Sequence, residues 1–70
     1  MQRENNITNK AFFHLLKTFM KTNGYTPTIR ELGEYVNLNS PASIYYHLTK
    51  LEEKGKIKRI NNRKIEILED

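Results

Sequence analysis

The 70-residue sequence predicts a mainly α-helical fold, three helices followed by a C-terminal two-stranded β-hairpin. Three observations carry this. Apolar residues recur at helical spacing in three separate stretches. The boundaries between those stretches hold the hydroxyls, prolines and glycines that helix ends require. Beyond Gly55 the pattern changes, and Lys64 to Ile67 alternate charged and apolar residues, which is the period of a strand.

The first helix is expected over about 9–22, where Phe12, Leu15, Leu16, Phe19 and Met20 form one stripe. Thr8 or Asn9 can cap its start, and Asn23-Gly24 ends it, because glycine takes the left-handed conformation cheaply. His14 lies beside the stripe and reads as a surface or boundary side chain. Pro27 then blocks helix continuation. Thr28 with Glu31 three residues on spells a capping box for a second helix over 29–36. Ile29, Leu32 and Val36 face inward in that helix, and Arg30, Glu31 and Glu34 outward. Gly33 leaves room for a neighbouring helix to approach. Asn37-Leu38-Asn39 reads as a tight turn with Leu38 in the core. The third helix has the clearest start: Ser40 as N-cap and Pro41 at the first helical position, where its missing N–H costs nothing. It runs to about Lys54, and Gly55 stops it. The segment of about 56–68 is the hairpin. Ile65 and Ile67 alternate with Lys64 and Glu66, and Asn61-Asn62 suits a tight turn because asparagine tolerates positive φ. A lone hairpin is marginal in water, so its isoleucines must pack against the helices.

Seventy residues make a single domain, 1–70, with no room for a second core. There is no cysteine, which removes disulfides, thiolate metal sites and thiol catalysis together. The two histidines, His14 and His47, fall in different helices without metal-ligand spacing. The polar N-terminus lacks the apolar stretch of a signal peptide, and no apolar run approaches the roughly 20 residues that span a bilayer. The expectation is a soluble cytoplasmic protein near the nucleoid, with no membrane partner, no cofactor and no small-molecule ligand. No nucleophile–base set, phosphate loop or carboxylate pair supports an enzyme.

The net charge of +4 is unevenly spread along the chain. Residues 50–64 carry seven of the twelve Lys and Arg side chains and two of the eight acids, a net of +5, against −1 for the rest. Such a segment suits a polyanion, or is simply a solvated basic surface. The element order decides between them. Two helices joined by a connection of three or four residues, followed by a basic hairpin, is a winged helix-turn-helix, whose third helix enters the major groove. Advancing roughly 100° per residue, Leu48 and Leu51 fall within about 40° of Ile44 and form one buried seam. Ala42, Tyr46 and Thr49 face the other way, with Ser43 and Lys50 beside them, and no carboxylate stands between Ser40 and Lys50. A helix approaching phosphates needs that absence.

Side-chain chemistry assigns the roles. Ala42 is small enough to lie deep in a groove and touch a thymine methyl, and Ser43 can bond a base edge. Tyr46 offers a ring and a hydroxyl. Tyr45, about 90° from the seam, fits either half-buried packing or binding. His47 fits boundary packing or a phosphate contact. The helix start at Ser40 is a natural phosphate site. The candidate phosphate contacts are Thr28, Lys50, Lys54, Lys58, Arg59, Arg63 and Lys64.

Residues 23–55 also resemble the N-terminal DNA-binding domain of LexA-type repressors of the bacterial SOS response. The matching pieces are Asn23-Gly24-Tyr25, Pro27-Thr28-Ile29-Arg30-Glu31, Leu38, Ser40-Pro41, and His47-Leu48 through Leu51-Glu52-Glu53-Lys54-Gly55. Their ordered combination is specific. The resemblance implies a winged helix-turn-helix whose base contacts fall on Ser40, Ala42, Ser43, Tyr45 and Tyr46. The types at Ala42 through Tyr46 depart from the enterobacterial pattern, which has acids where the two tyrosines stand, so no operator sequence is transferred. LexA-type repressors continue into a self-cleaving, dimerising domain with a serine-lysine dyad. This chain ends two residues after Leu68, so self-cleavage is expected to be absent from it, whether it is a fragment or a stand-alone regulator encoded by a phage or plasmid.

The leading expectation is thus a sequence-specific double-stranded DNA-binding transcriptional regulator, a repressor, possible as a homodimer on DNA. The alternative is a protein-interaction module on the same scaffold, an antirepressor or an inhibitor of a DNA-binding partner, with the two tyrosines as interface anchors.

Overall fold

A computed structural model describes residues 7–61 and 64–69. Helix α1 (Asn9–Asn23) opens at Thr8, whose hydroxyl accepts from the Ala11 N–H at 3.0 Å. It closes at Gly24, which sits at φ 79° and donates its N–H to Met20 O. Helix α2 (Ile29–Val36) carries the full capping box: Thr28 Oγ1 accepts from Glu31 N at 3.0 Å, and Glu31 Oε1 accepts from Thr28 N at 2.9 Å. Asn37 ends α2 in the left-handed region at φ 62°. Helix α3 (Pro41–Glu53) starts at Ser40, whose hydroxyl accepts from Ser43 N. Four residues therefore separate α2 from α3. Strands β1 (Ile57–Asn61) and β2 (Lys64–Ile67) pair antiparallel, with Ile57 opposite Ile67 and Arg59 opposite Ile65.

This is the expected mainly helical winged arrangement. The core runs through all five elements: Phe12, Leu16, Leu32, Ile44, Leu48, Leu51 and Ile57 are fully buried, with Val36, Leu38 and Ile65 close to it. The hairpin persists because Ile57 and Ile65 reach this core. Burying such a side chain stabilises by about 1.5–3 kcal/mol relative to leaving it in water.

Three details differ from the sequence reading. In α1, Phe13 is buried and Leu15 only half-buried, because the helix meets the hairpin side as well as α2 and α3, and its buried arc shifts toward them. At Gly33 the closest approach comes from the turn rather than from a helix. A Cβ there would stand 3.0 Å from the Leu38 carbonyl oxygen, and Leu38 N donates to Gly33 O at 2.9 Å. Asn61 ends β1 and pairs with Lys64 after a shift in register, instead of forming the turn. Asn62, the other expected turn residue, and Arg63 lie outside the described residues. Among the described residues no helix is long and apolar enough to cross a membrane.

The hairpin is held at both edges by side chains from the helical part. Glu52 of α3 accepts from Arg59 N through Oε2 (3.3 Å), and from Arg59 Nε and Nη2 through Oε1 (3.0 and 2.8 Å). On the other edge, Thr26 Oγ1 accepts from Ile65 N at 3.1 Å and lies 3.5 Å from Ile65 O. Arg59 and Ile65 face each other across the ladder, so the wing is fixed at one level from two directions.

Candidate nucleic-acid interface

The outer face of α3 follows from the burial of its inner one. Ile44, Leu48 and Leu51 are each 1% exposed, and their seam turns Ala42, Tyr45, Tyr46 and Thr49 into solvent, with Ser43 and Lys50 half-buried at the margin. Tyr45 is 49% exposed and Tyr46 58%. Tyr45 thus keeps about half its surface in water while the rest borders Pro27, Ile29 and Leu48. Two large, half-exposed aromatic side chains stand side by side, the Tyr46 ring meeting His47 edge-on at 5.5 Å between centroids. The first turn of α3 holds no acid. Ser40, Ala42, Ser43, Tyr45 and Tyr46 thus share the N-terminal half of one helix, and Ala42 and Tyr46 are about 6 Å apart along its axis. Each capping hydroxyl, Ser40 and Thr28, spends an acceptor on its helix and keeps its hydrogen to donate.

The proposed phosphate contacts separate into groups. Lys58 and Lys64 are exposed on the hairpin, Lys58 lying opposite Glu66. Lys50 holds its ammonium 5.8 Å from the Tyr46 ring centroid and 3.9 Å from Glu53 Oε1. Arg59 is committed to Glu52, and its guanidinium holds that carboxyl below the usual carboxylate range through hydrogen bonds from side chain and backbone. It acts as the wing's anchor, reaching Thr49 Oγ1 at 3.5 Å as well. Lys54 turns away toward α1 and donates to Asn9 Oδ1 at 3.2 Å. Arg63 lies outside the described residues.

Lys54 instead lines a separate notch with Lys10, Phe13, Lys17 and Lys56. The Lys56 ammonium pairs there with Glu69 Oε1 at 2.9 Å, which lowers the pKa of that carboxyl. The basic segment read along the chain is therefore split between two surfaces in space. His47 belongs to the boundary. Its ring stacks on Phe12 with centroids 4.7 Å apart, its Nδ1 meets Asn9 Nδ2 at 2.9 Å, and burial lowers its pKa below 6.5.

The sequence reading missed two contributors. Arg30, exposed on α2, shares a groove with Asn39, Ser40 and Pro41 at the start of α3. A single base between isoleucine and glutamate gives no charge signal. Thr26 looked like part of a loop, and only the fold brings its hydroxyl to β2.

Residues 7–64 match the family described as the LexA DNA binding domain. The LexA repressor of Staphylococcus aureus (strain USA300) is 40% identical over 70 residues, covering 97% of this chain and 34% of the relative. The LexA repressor of Staphylococcus carnosus (strain TM300) is 43% identical over 60 residues, covering 83% of this chain and 29% of the relative. That of Staphylococcus haemolyticus (strain JCSC1435) is 40% identical over 70 residues, with shares of 97% and 34%. The chain spans about a third of the length of the curated relatives it matches.

Proposed function

Because the chain belongs to the LexA DNA-binding domain family, we propose that it is a double-stranded DNA-binding transcriptional repressor that lays α3 in the major groove. The observation that carries this reading is the outer face of α3: exposed, free of acid from Ser40 to Lys50, and bearing small, hydroxylated and aromatic side chains where a core has no use for them. Ser40, Ala42, Ser43, Tyr45 and Tyr46 meet base edges. Thr28, Arg30 and Lys50 meet phosphates around the helix, and Lys58 and Lys64 meet them from the wing. Arg59 sets the wing's angle through Glu52 and adds little free charge. A monomer of this fold reads one half-site. Two copies side by side would engage half-sites about 34–36 Å apart along the duplex. Repression then follows from occupancy of a promoter, with no catalytic step.

Fluorescence anisotropy with duplex DNA tests this. Binding should weaken steeply with salt, the logarithmic slope giving about 0.9 per phosphate contact. No binding to any duplex at low salt would end the proposal and favour a protein partner for the two tyrosines.

A further inference from the structure

We infer that this α3 face recognises its operator chiefly by contact with thymine methyl groups, so that its half-site is defined by the placement of thymines; the inference rests on the DNA-reading function proposed above. Sequence is read in the major groove by two kinds of chemistry. One is paired hydrogen bonding: Arg or Lys to guanine, Asn or Gln to adenine, Asp or Glu to cytosine. The other is apolar contact with the C5-methyl of thymine. The outer face of α3 holds none of the first kind in its first two turns. From Ala42 to Tyr46 it presents Ala, Ser, Tyr and Tyr around the buried Ile44.

The neighbouring groups do not supply the missing chemistry. The Ser40 hydroxyl accepts from Ser43 N and keeps one hydrogen, and Ser43 is half-buried; a lone hydroxyl bonds several bases alike, so neither chooses among them. Lys50 lies one turn beyond Tyr46, its ammonium 5.8 Å from that ring and 3.9 Å from Glu53, and is assigned above to a phosphate. Thr49 shares its hydroxyl with Arg59. What the face does offer is apolar surface. The Tyr45 and Tyr46 rings remain half in water, and the Ala42 methyl stands one turn before Tyr46. A thymine methyl set against such a surface leaves water together with it. A phenol hydroxyl adds a single bond that serves any base with an acceptor or donor, so it contributes affinity with little choice. Discrimination is left to the methyls.

The test begins with selection of the full chain on random-sequence duplexes. Each thymine of the recovered motif is then replaced singly by deoxyuridine, which deletes only the methyl, and affinity is read by anisotropy. At least two thymines per half-site should each lose about fourfold, the weight of one buried methyl-sized group. The loss at a given thymine should vanish in Tyr45→Ala or Tyr46→Ala, whichever touches it, as a double-mutant cycle requires. Replacing purines by their 7-deaza analogues should change little. A flat uracil scan overturns the inference. If the 7-deaza positions are then the sensitive ones, reading passes through hydrogen bonds, with Asn39 and Arg30 beside the start of α3 as the groups to examine, and DNA recognition itself still stands. Recovery of no motif removes DNA recognition and the methyl reading with it.

Discussion

Replacing Thr26 with valine deletes one hydroxyl from the junction between hairpin and helices while keeping the shape of the side chain. That hydroxyl accepts from Ile65 N at 3.1 Å and lies 3.5 Å from Ile65 O. Ile65 is 8% exposed and packs in the core, so its N–H has limited access to water once the acceptor is gone. An ordinary intramolecular hydrogen bond contributes about 0.5–1.5 kcal/mol net, and a buried donor left unpaired costs about 1–3 kcal/mol. The partly buried setting of this bond places Thr26→Val at a loss of about 1–2 kcal/mol. In a domain of this size each kcal/mol moves the melting temperature by about 4–8 °C. Thermal unfolding followed by circular dichroism measures the shift, and hydrogen exchange at the Ile65 amide locates it. Thr22→Val, at an exposed site on α1, serves as control and should change stability by less than about 0.5 kcal/mol. An unchanged melting temperature together with an unchanged Ile65 exchange rate would refute the reasoning that side-chain bonds at the hairpin edge fix the wing.

Tyr46→Ala should leave the fold intact within about 0.5 kcal/mol, since the ring is exposed. It should lower specific DNA affinity by about 1–2 kcal/mol, a factor of roughly 5–30, with non-specific affinity and salt slope unchanged; parallel anisotropy on specific and random duplexes checks this. Gly24→Ala puts a side chain at φ 79° with no neighbouring atom within 4 Å, so its cost of about 1–2 kcal/mol is purely conformational, and Gly24→Asn should lose less in chemical denaturation. The pH dependence turns on His47. Its folded pKa lies below 6.5, so the unfolded chain binds that proton first. Its contribution is fully present above about pH 6.5 and declines as the pH falls toward the lower folded value. Denaturation midpoints taken from about pH 8 to 5 should show this decline, and His47→Phe should flatten it.

The helix boundaries were legible because caps are local. Thr8, Thr28, Ser40, Gly24 and Gly55 act on backbone groups within a few residues, and their chemistry is visible in the sequence alone. The α3 seam was legible for the same kind of reason: a helix in contact with the core on one side needs only its own period. Helix α1 was less so, because α2 and α3 both pack on it, and Phe13, met by the Lys17 and Lys56 ammonium groups, is drawn in from outside the stripe the period suggests. Charge was read least well. Along the chain, Lys54, Lys56, Lys58 and Arg59 form one basic run. In space Lys54 and Lys56 face α1, Arg59 is neutralised by Glu52, and Lys58 remains on the wing. Pairs such as Glu52–Arg59 and Thr26–Ile65 depend on where the hairpin packs, which no spacing within one element encodes.

Amide chemical-shift mapping by NMR, with a duplex recovered by selection added to the labelled chain, examines the DNA-reading face directly. Amides of Ser40 and of residues 42–46, with those of Lys58 and Lys64 on the wing, should shift saturably, while those of Lys10, His14 and Lys17 on α1 stay in place. Shifts gathered around the α1 lysines, with residues 40–46 undisturbed, would contradict the assignment of α3 as the reading helix.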